Sequence, residues 1–232
     1  MNHPGIQRWL PAFLRRYVLH FEATIDDRLA SFSQEVPVGA LVLDAGAGEG
    51  GHSAYFRRQK YLGVDLAVGD PHWNYGRLDA LADLTALPFR SGSFDACINI
   101  VTLEHICEPA RAVCEMHRVL HDGGRLLLIA PHEWEVHQSP HDYFRYTRHG
   151  LGYLLEKAGF TDYTIDPVGG YFRLLSRRLL NGLQFFPGFA GLVAGLVVAP
   201  PALILPALDF LDRRRDFTLG YVCIARKGKG EY

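Results

Sequence analysis

The chain of 232 residues is short of several things. Its four cysteines, Cys97, Cys107, Cys114 and Cys223, form no C-x-x-C pair, so neither a disulfide framework nor a cysteine metal centre is expected, and such scattered thiols suit a reducing compartment. It has no excess of either charge. Twenty-four Lys and Arg against 25 Asp and Glu leave a formal net charge of -1, and mixed charges lay no track for a phosphate backbone, so no nucleic-acid partner is expected. An uninterrupted apolar run at the start is missing too, because Arg8, Arg15 and Arg16 break the pattern. A secretory leader is therefore not expected, and a cytoplasmic location is.

What is present is apolar material, 48% of the residues, enough for one sizeable core with an appendage. Ile6, Trp9, Leu10, Phe13, Leu14, Tyr17, Val18 and Phe21 recur at helical spacing, which predicts a helical cap over 1–37. From Ala40 the pattern changes to short apolar runs alternating with helix-like stretches. ALVLDA, YLGVDL, ACINIV and RLLLIA read as strands, with helices over 52–58, from Pro109 to Leu120 and from Leu151 to Ala158, the last ended by Gly159. Tyr163 to Val168 and FTLGYVCIARK read as two more strands. Strands alternating with helices imply right-handed crossovers and a mostly parallel sheet.

Between those last two strands, Leu179 to Leu208 contain no charged residue. About 20 apolar residues suffice to cross a membrane, but Pro200, Pro201 and Pro206 argue against one straight helix. Arginines flank both ends, at Arg173, Arg177 and Arg178 and at Arg213, Arg214 and Arg215. A bent interfacial hairpin with arms of about ten residues is expected, its arginines meeting anionic headgroups from one side.

The stretch VLDAGAGEGG, Val42 to Gly51, places Gly46, Gly48 and Gly51 at G-x-G-x-x-G spacing after a strand. Glycines let a backbone approach any nucleotide-like cofactor. The charges discriminate: Asp44 and Glu49 would repel a pyrophosphate and attract a ligand carrying an ammonium and a sulfonium, which favours S-adenosylmethionine over NAD. Asp65, ending the next strand, suits the ribose hydroxyls of either cofactor.

LVLDAGAGEGG, GVDLA, ADLTALPFRSGSFDACINIVTLEHI and EMHRVLHDGGRLLLIAP, in that order over about residues 41–160, resemble the class I S-adenosylmethionine-dependent methyltransferases of the broad small-molecule group. The resemblance implies an α/β, Rossmann-like doubly wound sheet of seven strands, mostly parallel with an antiparallel last strand. The apolar stretch then becomes a helical insertion before that strand. On this reading 38–178 and 213–228 form the methyltransferase domain and 179–212 the membrane-associated insertion. Gly46 and Gly48 would approach the methionine portion and Asp44 its ammonium. Asp65 would hold the ribose, Asp83 with the backbone of Leu84 the adenine, and Ile100 would line the methyl-donor site.

The stretch APHEWEVHQSPHDYFRYT, Ala130 to Thr147, follows a strand at its C-terminal end, where open α/β sheets place ligands. PHDYFRYT is similar to an acceptor-pocket segment of these methyltransferases, which makes Asp142, Tyr143, Arg145 and Tyr146 candidate substrate contacts, with an Asp142–Arg145 structural pair as the alternative. His105, His132 and His141 are the candidate bases for a hydroxyl acceptor. His132, His137 and His141 do not follow H-E-x-x-H spacing, and no metal is expected. The function expected is methyl transfer to an oxygen of a small or lipid-linked acceptor. An NAD-dependent oxidoreductase and a non-catalytic membrane-bound scaffold are the competing classes, and the oligomeric state is open.

Overall fold

A computed structural model describes residues 12–228, so Ile6, Trp9 and Leu10 of the predicted cap lie outside the described residues. In chain order the elements are helices α1 (Ala12–Val18) and α2 (His20–Glu35), strands β1 (Leu41–Ala45), β2 (Lys60–Asp65), β3 (Ala80–Leu81) and β4 (Phe94–Ile100), helix α3 (Pro109–Val119), strand β5 (Leu120–Pro131), helix α4 (Arg148–Ala158), strand β6 (Asp162–Val168), helices α5 (Tyr171–Gly182) and α6 (Gly188–Ile204), and strand β7 (Gly220–Arg226). The strands form one sheet in the order β3-β2-β1-β4-β5-β7-β6. β1 pairs in parallel with β2 and β4, and β4 with β5. The last strand runs against its neighbour: Gly123 and Lys227 exchange N–H to carbonyl bonds across the edge, Gly123 N to Lys227 O and Lys227 N to Gly124 O, each 2.9 Å. The expected seven-stranded, mostly parallel α/β fold is what forms.

Among the described residues two compact units result, one of 25–166 with 221–228 and the other of 12–24 with 167–220. In the first, β1 and β4 are buried on both faces, as central parallel strands must be; Val42, Leu43, Ala96, Cys97 and Ile98 are closed to solvent. α3 turns Ala112, Val113, Met116 and Val119 inward, one stripe of a 3.6-residue repeat. α4 begins at Thr147, whose hydroxyl accepts the Gly150 N–H at 3.0 Å, and ends at Gly159 with φ 101. Each fully buried aliphatic side chain contributes about 1.5–3 kcal/mol, and the β1–β4 register thereby fixes where both strands end.

One expected helix is replaced. Residues 52–58 form no α-helix; a single 3₁₀ turn, Gly51–Tyr55, takes their place, with no buried residue. Gly50 enters it at φ 71, and Phe56 ends it with a fully buried ring stacked on Tyr61; one buried residue gives no apolar stripe to extend a helix.

In the other unit the apolar stretch turns back through a 3₁₀ turn at Leu183–Phe185, and α6 then runs through Pro200 and Pro201 without a break. The prolines were expected to bend this segment. The helix continues past them, and in its last turn the buried Ser176 hydroxyl of α5 donates to Ala202 O at 2.6 Å and the Tyr17 hydroxyl to Leu203 O at 2.9 Å. A second 3₁₀ turn, Leu205–Leu211, extends the apolar run to 24 residues, Gly188–Leu211, long and apolar enough by length and composition to cross a membrane. Phe189, Leu196 and Val197 are exposed. Arg173 pairs with Asp209 and Arg177 with Glu22 inside this unit, while Arg213, Arg214 and Arg215 are exposed.

Thr147→Ala removes the cap of α4 and is expected to lower stability by about 1 kcal/mol, read as an earlier midpoint in urea unfolding with an unchanged slope.

Candidate active site

β1 delivers Asp44 and then the glycine turn to the C-terminal edge of the sheet. Gly46, Gly48 and Gly50 have φ of 95, 53 and 71, a left-handed backbone that a side chain would strain. At Gly46 a Cβ would also stand 2.3 Å from Thr102 Cγ2, so glycine is required twice over. The turn is pinned by Gly46 N and Ala47 N donating to Val64 O at 2.8 and 3.0 Å.

Asp44 is fully buried. Its Oδ2 takes hydrogen bonds from His52 Nδ1, 2.8 Å away, and from the Tyr61 hydroxyl; its Oδ1 has no partner. Burial pulls the His52 pKa down, but the hydrogen bond and charge of Asp44, with the charge of Asp26, reverse this and leave it raised. Burial, then the charge of Asp44, drives Tyr61 far upward, so it stays a donor. Glu49 points elsewhere: it is exposed and accepts the Asn74 N–H at 2.9 Å. Of the two acids expected to attract a cation, Asp44 alone is enclosed in the turn.

Asp65 caps the next strand, with Oδ2 accepting Gly48 N at 3.0 Å and Oδ1 accepting Ala67 N at 2.8 Å. Each oxygen keeps a lone pair for a hydroxyl donor. Asp83 spends Oδ1 on Thr85 N and Oγ1, both 2.8 Å, beside the buried Leu84. Trp73 lies against Gly48, 3.4 Å from the position of its absent Cβ.

β4 ends at the buried Ile100, and Val101 follows at φ 50. A β-branched residue there costs on the order of 1–3 kcal/mol, the kind of strain that collects at functional turns. The Thr102 hydroxyl, 3.1 Å from Gly46 O and 3.0 Å from Ile100 O, ties this bend to the glycine turn. Asn99, also buried, donates to Ala45 O at 2.6 Å.

Beyond the bend lies a buried polar cluster. Glu104 is enclosed, neither carboxylate oxygen has a hydrogen-bond partner, and burial pushes its pKa up to about 8. His105 Nδ1 lies 2.6 Å from His141 O; a carbonyl only accepts, so Nδ1 carries the proton and the buried, unpartnered Nε2 presents its lone pair. Burial lowers the pKa of His105. The His137 ring stands edge-on to that of His105, centroids 4.7 Å apart.

The loop that brings His137 there is closed by its own residues. Arg145 Nη1 and Nη2 grip Asp142 Oδ1 and Oδ2 at 2.7 and 2.8 Å, and Arg145 also donates to the carbonyls of Trp134, Glu135 and Phe144. The guanidinium hydrogen bonds hold the Asp142 pKa down at about 2. Asp142 and Arg145 therefore serve the loop, as the structural alternative in the sequence had it. Tyr146 is buried, its hydroxyl donating to Leu103 O at 2.8 Å, whereas Tyr143 is exposed. His132 Nδ1 meets Tyr146 O at 2.8 Å, and His141 contacts the Tyr143 hydroxyl at 3.2 Å.

Comparison with known proteins bears directly on this edge of the sheet. Residues 43–128 match the family model of a methyltransferase domain. The chain is 28% identical over 167 residues to the tRNA (carboxymethyluridine(34)-5-O)-methyltransferase alkbh8 of Xenopus tropicalis, covering 65% of this chain and 24% of that protein. It is 34% identical over 112 residues to an uncharacterized methyltransferase of Mycobacterium sp. (strain KMS), covering 46% and 44%. The chain thus spans less than half the length of these curated relatives. Among solved structures, the [4+2]-cyclase SpnF shares the fold with a TM-score of 0.56 at 22% identity, over 88% of this chain and 82% of that one. Others of the same fold hold S-adenosylmethionine or S-adenosylhomocysteine. Residues 43–128 thus resemble a methyltransferase domain, and the chain has the fold that these structures share.

The residues at this edge of the sheet fit S-adenosylmethionine. A buried carboxylate oxygen without a partner, Asp44 Oδ1, needs a donor, and an ammonium supplies one. A pyrophosphate there would meet the same carboxylate with like charge. Asp65 and Asp83 each retain acceptor capacity towards ribose and adenine.

The structure thus brings Asp44, Gly46, Gly48, Asp65, Ile100 and His105 to the C-terminal edge of the parallel strands. Sequence reasoning missed His52 and Tyr61, which orient Asp44. It also passed over Glu104, although a carboxylate between Leu103 and His105 directly after an apolar strand is a signal of burial.

The raised pKa of His52 makes its pairing with Asp44 a stabilising contribution that is complete below the ordinary histidine value of 6.5 and is lost as pH rises through the raised folded value. In Asp44→Asn the histidine is expected to titrate below its wild-type value, because burial then acts with little opposition. Histidine NMR titration reads this; an unmoved His52 resonance contradicts it.

Proposed function

We propose that the protein transfers the methyl group of S-adenosylmethionine to an oxygen of a small or lipid-linked acceptor at a membrane face. In this reading 38–178 and 213–228 form the catalytic domain and 179–212 the membrane-contacting insertion.

S-adenosylmethionine supplies a methyl group already activated on a sulfonium, so the protein has mainly to align donor and acceptor. Asp44 orients the cofactor end that carries the ammonium, and the Val101 bend, tied to the glycine turn by Thr102, sets the floor on which the acceptor meets the methyl. A hydroxyl acceptor must also lose a proton, and His105 Nε2 presents a buried lone pair beside that bend. His132 and His141 have their Nδ1 atoms committed nearby and stand as acceptor-loop residues.

The exposed apolar helix carries the lipid part of the reading. Gly188–Leu211 has almost none of its length buried, and an apolar surface of that extent, with Arg213, Arg214 and Arg215 exposed beside it, fits an interfacial segment that meets anionic headgroups. RNA is the rival acceptor, because the name of one relative specifies tRNA; the near-neutral charge of the chain weighs against it. The oxidoreductase alternative is disfavoured by the carboxylate at the turn.

Incubation with methyl-labelled S-adenosylmethionine and a cell extract, then separation into lipid, small-metabolite and RNA fractions, is expected to place the label in lipid, with the protein floating on anionic liposomes. Label in RNA, or a protein that ignores liposomes and methylates nothing, contradicts the proposal.

A further inference from the structure

Glu104, His105 and His137 converge in a way that the methyl-transfer reading does not explain. Glu104 Oε1 lies 3.8 Å from His105 Nε2 and 3.9 Å from His137 Nε2, and the three ligand-type atoms all fall within 4.8 Å of one another. Two of the three side chains hold unpartnered buried atoms: both Glu104 oxygens and His105 Nε2. The histidines are oriented to present the remaining lone pairs. His105 Nδ1 donates to His141 O at 2.6 Å, and His137 Nδ1 faces Glu135 O at 3.1 Å with Asp142 Oδ2 at 3.5 Å. At His105 this fixes the proton on Nδ1 and leaves Nε2 its lone pair; at His137 the Arg145 guanidinium also stands 3.4 Å from Nδ1, and metal binding through Nε2 requires the tautomer whose Nδ1–H faces Glu135 O. This is how metal-binding histidines are held, by an outer N–H to carbonyl or carboxylate bond that fixes tautomer and ring. Arg145, the nearest cation, is bound to Asp142 and gives Glu104 no hydrogen bond.

We propose that Glu104, His105 and His137 bind a divalent metal ion, zinc by its ligand set, with coordination positions left open towards the methyl acceptor. Two imidazoles and one carboxylate suit zinc or a similar first-row ion and satisfy three of its positions. Zinc bonds of about 2.0–2.1 Å put ligand atoms about 3.3 Å apart in a tetrahedron, so the two edges from Glu104 to the histidines close by about half an ångström, and all three atoms already lie within 4.8 Å. The open position is assigned to an acceptor oxygen, an assignment that rests on the methyltransferase reading; the ion site itself does not. His105 is then a ligand, and the ion takes over the task of making a hydroxyl more acidic. The pairing of Asp142 with Arg145, which seemed idle for substrate binding, holds the His137 loop over Glu104: Asp142 Oδ2 also accepts the His137 N–H at 2.8 Å.

The test is calorimetric titration of the full, chelator-stripped chain with zinc chloride, beside a separate titration with S-adenosylmethionine. One zinc per chain is expected, with affinity falling about tenfold or more in both Glu104→Gln and His137→Ala and staying within about twofold of wild type in His132→Ala. No zinc uptake by a chain that still binds S-adenosylmethionine overturns the metal site alone; loss of S-adenosylmethionine binding with zinc retained overturns the cofactor reading alone. Equal zinc affinity in the ligand variants, or equal weakening in His132→Ala, also overturns the site. Should the ligand variants fail to fold, cobalt(II) on the unaltered chain decides: an intense visible band supports imidazole ligation, and the weak spectrum of the aqueous ion overturns it.

Discussion

At the end of β1, Asp44 presents a carboxylate that no solvent reaches, and its two oxygens are treated differently. His52 and Tyr61 satisfy one; the other has no donor among the described residues. Burying such an oxygen is costly unless a ligand completes it, so the strand end is built for a cationic partner. The rest of the edge is arranged around that position. Gly46 bends away because a side chain would strike Thr102, Thr102 binds Gly46 and Ile100 together, and Asp65 holds Gly48 from the other side. The cofactor turn and the acceptor turn are one hydrogen-bonded piece, so the position of the methyl donor and the position of Glu104 and His105 are set together.

Much of this was legible because it follows from local rules. Val42 to Ala45 and Phe94 to Ile100 are apolar runs of strand length, and parallel central strands need residues buried on both faces. Gly159 marks the end of α4 by its own backbone chemistry, whereas the helix starts at Arg148 behind the Thr147 cap, ahead of the expected Leu151. The choice of S-adenosylmethionine over NAD rested on the sign of two acids, and one of them, Asp44, stands where the argument needed it. Glu49 does not, since its carboxylate is spent on Asn74; a sequence shows that a charge is near a turn but not which way it faces.

What was not legible depends on distant packing. The stretch 52–58 fully buries Phe56 alone, and only the fold reveals that none of its other residues joins that ring in the interior. Pro200 and Pro201 ordinarily stop a helix, yet α6 continues through them, and Ser176 and Tyr17 hold carbonyls of its last turn. His137 is 33 positions from Glu104, and their meeting is produced by Arg145, which closes the loop through five hydrogen bonds to Asp142 and three carbonyls. No spacing rule for metal ligands reads such a closure. The sequence did signal the pair at its base, for a glutamate and a histidine immediately after a buried strand must either find partners or hold a ligand.

The central claim is that the glycine turn with Asp44 beneath it selects a cationic cofactor. Isothermal titration of the purified chain with S-adenosylmethionine and, separately, with NAD tests it most directly. Binding of S-adenosylmethionine in the micromolar range with no heat from NAD is the expected result. Micromolar binding of NAD with none of S-adenosylmethionine contradicts it.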